Sequence, residues 1–133
     1  MVLRGLSLGL FGRFGRSAAL RQLDGALRSV DLHPNLVPDA VKLTAVRLLT
    51  EHAPAGEPAP PAYRAAAEII GYCMIGAESF AGANDPALAA QVEQRIEAAL
   101  DTGASLDAKL VLLMLHAKVI QPSVVNHFQL ESG

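Results

Sequence analysis

Four side chains of this sequence have the types and the spacing that acid–base chemistry requires. Glu68 and Tyr72 are four residues apart, so a helix through them places both on one strip of its surface. Glu78 stands at the edge of the apolar arc of the same predicted helix, and His116 lies on a thin polar seam of a later, largely apolar helix. Carboxyl groups on a mostly buried helix need partners or acquire raised pKa values, and clefts are where such groups gather. The sequence therefore predicts that these four residues line one ligand pocket.

A purely structural role is the competing interpretation of the same residues. Arg64 precedes Glu68 by one helical turn, which favours an ion pair on the surface. Glu78 would then accept hydrogen bonds from a loop at the helix end, and His116 would be a satisfied core or interface histidine. Both interpretations stay open, and the sequence assigns no catalytic residue.

The sequence predicts no cofactor and no metal site. The only cysteine, Cys73, falls between Ile69 and Ala77 in the middle of an apolar helical arc, which predicts a buried structural thiol. No two of the four histidines are three or four residues apart, so no helical face carries a pair of ligands. The glycine-rich first residues lack the strand–turn–helix pattern that a dinucleotide-binding turn requires, so no such site is expected there.

Composition restricts the class of protein. The chain has 133 residues, enough for one domain, and 51% of them are apolar while 18% are charged. So apolar a composition predicts a generous core or a buried subunit interface. A net charge of −2 lacks the basic field that nucleic-acid binding needs. The apolar runs fall short of the ~20 residues of a transmembrane helix, and the lone thiol favours a reducing, cytoplasmic setting.

Helical periodicity runs through most of the chain, and no stretch alternates as a strand does. The fold class predicted is all-α: a compact bundle of five main helices and a short C-terminal helix. Their predicted ranges are 17–30, 38–52, 62–81, 86–101, 106–120 and 123–130. Asp85 and Ser105 are expected N-caps, and Gly82 and Gly103 are expected to end the helices before them.

The third and fifth predicted helices have the widest apolar surfaces and should therefore lie at the centre of the bundle. The proline-rich stretch 53–61, APAGEPAPP, excludes helix and strand and is predicted to be a crossover loop within a single domain, 17–133. Residues 1–16, with four glycines, are predicted to be a flexible or loosely packed segment. The alternative for this segment is contact with a membrane surface or a partner through Phe11, Phe14 and its arginines.

These features favour a non-enzymatic helical module that self-associates as a homodimer and binds a further, unknown protein. We expect its interface to be drawn from the third or fifth helix, because the fifth has two apolar faces. One alternative is a bundle that holds a small apolar or amphipathic ligand between these two helices. A third is an enzyme that uses the Glu68, Tyr72, Glu78 and His116 group as acid and base.

Overall fold

A computed structural model describes residues 18–130. Within this range the chain forms helices and no strand, which confirms the all-α prediction. The segment 1–16, predicted to be loosely packed, lies outside the described residues. The elements in chain order are α1 (18–29), a 3-10 turn (Pro34–Leu36), α2 (Asp39–His52), α3 (Pro60–Ile75), α4 (Ala77–Ala83), α5 (Pro86–Thr102), α6 (Leu106–His116) and α7 (Pro122–Phe128).

Short polar residues start the helices α5 and α6 as the sequence predicts. The Asp85 carboxylate accepts a hydrogen bond from the Ala87 amide at 2.7 Å, and the Ser105 hydroxyl accepts one from the Ala108 amide at 3.1 Å. Each bond satisfies an amide that has no partner inside the helix. Gly103 ends α5 in the left-handed conformation, with φ of 71°, where a residue without Cβ is least strained.

The helices α3 and α6 form the centre of the bundle. α6 packs against α2, α3 and α5, and α3 packs in addition against α4. Their buried side chains include Ile69, Ile70, Leu110 and Met114, all 0% exposed and all part of one core cluster. Each such side chain contributes about 1.5–3 kcal/mol through burial alone. The predicted central position of the two most apolar helices is therefore confirmed.

The predicted third helix, 62–81, is two helices separated by Gly76. This glycine has φ of 88° and ψ of 163°, a conformation essentially closed to residues with a Cβ. The chain turns there, so that Phe80 of α4 lies against Gly71 of α3. A Cβ on Gly71 would be 3.2 Å from Phe80 Cε1, and the ring of Phe80 meets Tyr72 edge-on at 5.9 Å.

The connection between α6 and α7 caps the broken end of α3. The last carbonyls of a helix lack partners inside it. Gln121 donates hydrogen bonds to two of these carbonyls. Its backbone amide donates to the Cys73 carbonyl and its side-chain Nε2 to the Met74 carbonyl, both at 2.8 Å. Contrary to the sequence prediction, Gly82 lies inside α4 and does not end it.

The predicted fifth helix, 106–120, ends at His116 because Lys118 adopts a left-handed conformation with φ of 60°. The Val119 amide then donates a hydrogen bond to the Met114 carbonyl at 3.2 Å, which is the closing bond of a Schellman motif. The same motif ends α1 at Asp31 and α7 at Gln129, which have φ of 63° and 53°. A non-glycine residue closes all three turns, so sequence patterns based on glycine miss them.

A partly buried ion pair joins α1 to α2. The Lys42 ammonium lies 3.2 Å from Asp24 Oδ1, and Lys42 is only 8% exposed. Arg47 and Glu51, on the outside of α2 and one turn apart, form an exposed ion pair at 3.7 Å.

Gly76→Ala should lower the free energy of unfolding by about 1–3 kcal/mol, because alanine is strained at the backbone angles of Gly76. Urea denaturation followed by circular dichroism measures this change. Gly82→Ala is the matched control: Gly82 is helical, and a Cβ there meets nothing within 4 Å. The free energy of unfolding of that variant should rise by about 0.5–1 kcal/mol. Equal stability of the two variants would contradict the role given to Gly76.

Candidate functional site

Glu68 belongs to an ion-pair network that connects three helices. Its Oε2 accepts from Arg64 Nε at 3.1 Å and its Oε1 from Arg95 Nη1 at 3.0 Å. Arg95 also donates two parallel hydrogen bonds to the Asp107 carboxylate, Nε to Oδ2 at 3.1 Å and Nη2 to Oδ1 at 2.9 Å. Nη2 donates further to the Ala65 carbonyl at 3.0 Å. Arg95 of α5 thus holds α3 and α6 together, and both carboxylate oxygens of Glu68 are occupied.

Tyr72 lies one turn after Glu68 on α3 and is fully buried. Its hydroxyl donates to Glu93 Oε1 of α5 at 2.8 Å. Burial raises the pKa of Tyr72, and the hydrogen bond to Glu93 and the nearby carboxylates raise it further. The phenol therefore keeps its proton throughout the physiological range and acts as a hydrogen-bond donor.

Glu78 and His116 are both exposed: Glu78 in the first turn of α4, His116 at the last residue of α6. Within residues 18–130, no hydrogen bond or ion pair joins either of them to Glu68 or Tyr72. The structure thus brings Glu68 and Tyr72 together on one side of α3, facing α5. Because α3 and α4 are separate helices, the single helical wheel that grouped Glu78 with Glu68 does not apply.

Cys73 is buried, as its place in the apolar arc predicts. Removal from water raises the pKa of its thiol to about 12. A thiol of this pKa is almost entirely protonated at neutral pH and is a poor nucleophile.

A shallow groove with a volume of about 440 Å³ runs between α1 and the start of α3. On the α1 side it is lined by Arg21, Gln22, Gly25, Ala26 and Ser29. On the α3 side it is lined by Pro60, Pro61, Tyr63 and Arg64. These nine residues define what we call the arginine groove. Its lining holds two arginines and no carboxylate.

The two walls of the arginine groove are bonded to each other. Arg64 Nη1 donates to the Ser29 hydroxyl at 3.1 Å, and that hydroxyl donates in turn to the Ala26 carbonyl at 2.6 Å. The pKa of Tyr63 is raised, first by burial and then by the carboxylate of Glu57. The Tyr63 phenol is therefore a neutral part of the wall at physiological pH.

Sequence reasoning missed Arg95, Asp107 and the arginine groove as functional features. Arg95 directly precedes the buried Ile96 on α5, and a charged residue at the border of an apolar stripe was the available signal. Asp107 lies in the first turn of α6, 12 residues after its partner Arg95 and on a different helix, so helical spacing does not join the two. The groove depends on α1 meeting α3 across the proline-rich loop, which local spacing does not reveal.

Residues 18–130 contain no group of three or more His, Cys, Asp or Glu side chains arranged to hold a metal ion. No helix in this part of the chain is long and apolar enough to cross a bilayer. No protein-family model matches the sequence, and neither a search of curated proteins nor one of solved structures finds a match.

Arg95→Met should lower the free energy of unfolding by about 1–3 kcal/mol, because it leaves the carboxylates of Glu68 and Asp107 partly buried without their common partner. Chemical denaturation measures the loss. Arg47→Met is the control, since Arg47 is 69% exposed and its pair with Glu51 is longer. Its effect should stay within about 0.5 kcal/mol. A comparable loss in both variants would contradict the structural role of Arg95.

Stability should fall as pH rises above about 9, the ordinary pKa of a thiol. The unfolded chain then loses the Cys73 proton, whereas the folded chain retains it up to a pKa of about 12. Folding thus becomes less favourable by roughly 1 kcal/mol per pH unit within this interval. The raised pKa of Tyr72 acts in the same direction at higher pH.

Urea denaturation from pH 8 to pH 10.5 tests this dependence, with Cys73→Ala as the comparison. The variant lacks the thiol and should lose less stability over the same range. An identical pH dependence in the two proteins would show that Cys73 does not contribute. Thiol labelling of the native protein should also be slow at every pH at which the protein stays folded.

Proposed function

We propose that this protein is a non-enzymatic helical interaction module that self-associates through the outer face of α2. The observation that carries the proposal is an apolar surface formed by Leu36, Ala40 and Leu43, which we call the leucine face. Leu36 is 64% exposed and Leu43 40% exposed, and Ala40 is exposed as well.

The leucine face lies opposite the buried side of α2. Val41, Ala45 and Leu49 are at most 3% exposed and face the core. Ala40 and Leu43 are three residues apart on the other side of the helix, and Leu36 belongs to the 3-10 turn directly before it. Asp39, one turn before Leu43, borders this face with a side chain that is 95% exposed. The outer face becomes polar again one turn after Leu43, where Arg47 pairs with Glu51. The apolar residues are thus concentrated at the start of α2.

A second copy of the chain is the partner that such a face fits. In a two-fold dimer the same surface of both subunits meets, so leucines pack against leucines without the need for a complementary pocket. Each exposed leucine removed from water contributes about 25 cal/mol per Å² of buried apolar surface. The high apolar content of the chain favours the same conclusion.

The placement of the polar residues supports a non-enzymatic role. Glu68 has both oxygens engaged by arginines. Tyr72 and Cys73 are buried with raised pKa values and so keep their protons. The residues of this chain that the sequence singled out for acid, base or nucleophilic chemistry on α3 thus serve its packing.

Binding of a small apolar ligand between α3 and α6 has less support. These helices pack directly against each other, and Ile70 of α3 and Leu110 of α6, both 0% exposed, belong to the same core cluster. A ligand there would have to displace core side chains, and voids in such cores are few and small.

Leu43→Asp should weaken self-association at least tenfold, because a carboxylate placed in an apolar interface must lose its water. Light scattering coupled to size-exclusion chromatography over a micromolar concentration series measures the change. The native protein should elute as a dimer at the upper end of the series and Leu43→Asp as a monomer. Circular dichroism should be identical for both proteins, since Leu43 points away from the core.

Leu112→Asp is the matched control. Leu112 is 44% exposed and lies on α6, which corresponds to the fifth predicted helix, one of the two from which the sequence analysis drew the interface. Its variant should dimerise as the native protein does. A native protein that stays monomeric throughout the series would overturn self-association. A dimer dissociated by Leu112→Asp and not by Leu43→Asp would move the interface from α2 to α6.

A further inference from the structure

We propose that the arginine groove binds an extended acidic segment of a partner protein. The groove lies on α1 and α3 and the leucine face lies on α2, so the two surfaces use different residues and neither proposal depends on the other.

The dimensions of the groove fit a short extended peptide. Its α1 wall runs from Arg21 to Ser29, a rise of about 12 Å at 1.5 Å per residue. An extended chain covers that length in about four residues. The groove is shallow and open to solvent, which suits a segment lying along the surface better than a small molecule that must be enclosed.

The charge of the groove selects an acidic occupant. Arg21 is exposed, and no ion pair within residues 18–130 involves it. Arg28, two turns further along the same side of α1, is also exposed. Three carboxylates near the groove are already engaged or lie to one side of it. Asp24, next to Gly25 on α1, pairs with Lys42. Glu68 is shared between Arg64 and Arg95, and Glu57 lies beside Tyr63. Local positive charge therefore remains on a protein whose net charge is −2, and it attracts carboxylates.

The guanidinium of Arg64 is held in place for such a contact. Its Nε donates to Glu68 and its Nη1 to Ser29, both at 3.1 Å. Nη2 makes no hydrogen bond within the described part of the chain, and the side chain is 45% exposed. An oriented arginine with free N–H groups binds a carboxylate with less loss of side-chain entropy than a mobile one.

Gly25 gives a peptide backbone room to approach α1. A glycine inside a helix is unfavourable relative to alanine, and at Gly71 the close packing of Phe80 explains it. At Gly25 a Cβ would meet nothing within 4 Å, so packing within the described residues gives no reason for glycine there. Gly25 lies between Arg21 and Ser29 in the groove lining and leaves a notch in that wall.

The test is a titration of the ¹⁵N-labelled full-length protein with the peptide acetyl-Glu-Ala-Glu-Ala-Glu-amide, followed by two-dimensional NMR. We expect saturable shifts at the amides of residues 21–29 and 62–64, with millimolar or tighter affinity that weakens as salt is raised. The glutamine peptide acetyl-Gln-Ala-Gln-Ala-Gln-amide should produce no saturable shift. Arg21→Gln and Arg64→Gln should each weaken binding of the acidic peptide at least threefold, while the exposed Arg47→Gln on α2 should leave it unchanged.

Gly25→Glu provides a test that does not depend on removing a contact within the fold. The open space at Gly25 accepts the side chain, so the variant should fold, yet its charge should abolish peptide binding. Ala90→Glu adds the same charge at an exposed position of α5 and should bind as the native protein does. Shifts outside the groove, equal binding of the glutamine peptide, unaltered binding by Gly25→Glu, or no saturable binding would each overturn the proposal.

Discussion

The break between α3 and α4 at Gly76 determines how the apolar centre of this protein is closed. One continuous helix over this stretch would carry Phe80 away along the axis of α3. With φ of 88° at Gly76, the chain turns and Phe80 returns to pack on Gly71 and Tyr72. The freed carbonyls at the end of α3 are then satisfied by Gln121, which fixes the start of α7. The backbone conformation of Gly76 thus determines both the packing of Phe80 on Gly71 and the capping of α3 by Gln121.

Polar interactions at the other end of α3 serve orientation. Arg95 reaches from α5 to Glu68 on α3 and to Asp107 on α6. The apolar contacts of these helices tolerate small rotations, whereas bidentate pairing between a guanidinium and a carboxylate does not. The network therefore sets the rotation of α5 relative to its neighbours. Arg64 extends it to Ser29 of α1, so the wall of the arginine groove is positioned by the same set of charges that positions the core helices.

The parts of the fold that the sequence predicts correctly depend on local signals. Helical period, the caps at Asp85 and Ser105 and the stop at Gly103 all act within one or two turns. The break at Gly76 was not predicted, because a glycine among apolar residues interrupts no helical period. Gly82, in contrast, stands just before the turn-forming Ala-Asn-Asp-Pro. The contacts that place the helix end at Gly76 and not at Gly82 involve residues far apart in the sequence. Gln121 caps the end of α3, and the Asn84 side chain, after α4, donates to the carbonyl of Val30 at 3.0 Å. The ion-pair network around Arg95 was not predicted for the same reason, since Arg95 and Glu68 are 27 residues apart in the sequence.

The two tyrosines of this chain lie near opposite ends of α3, and the chain has no tryptophan. Tyr63 is part of the wall between α1 and α3, whereas Tyr72 contacts α4, α5 and α7 through Phe80, Glu93 and Phe128. Both are buried, but their near-ultraviolet absorption and emission arise from two separate environments, one beside the groove and one where α3, α4, α5 and α7 meet. A carboxylate hydrogen-bonded to a phenol quenches its emission, so Tyr72 should be the dimmer of the two in the folded protein. The molecule thus carries its own spectroscopic probes, which distinguish events at the groove from loss of the central packing without any added label.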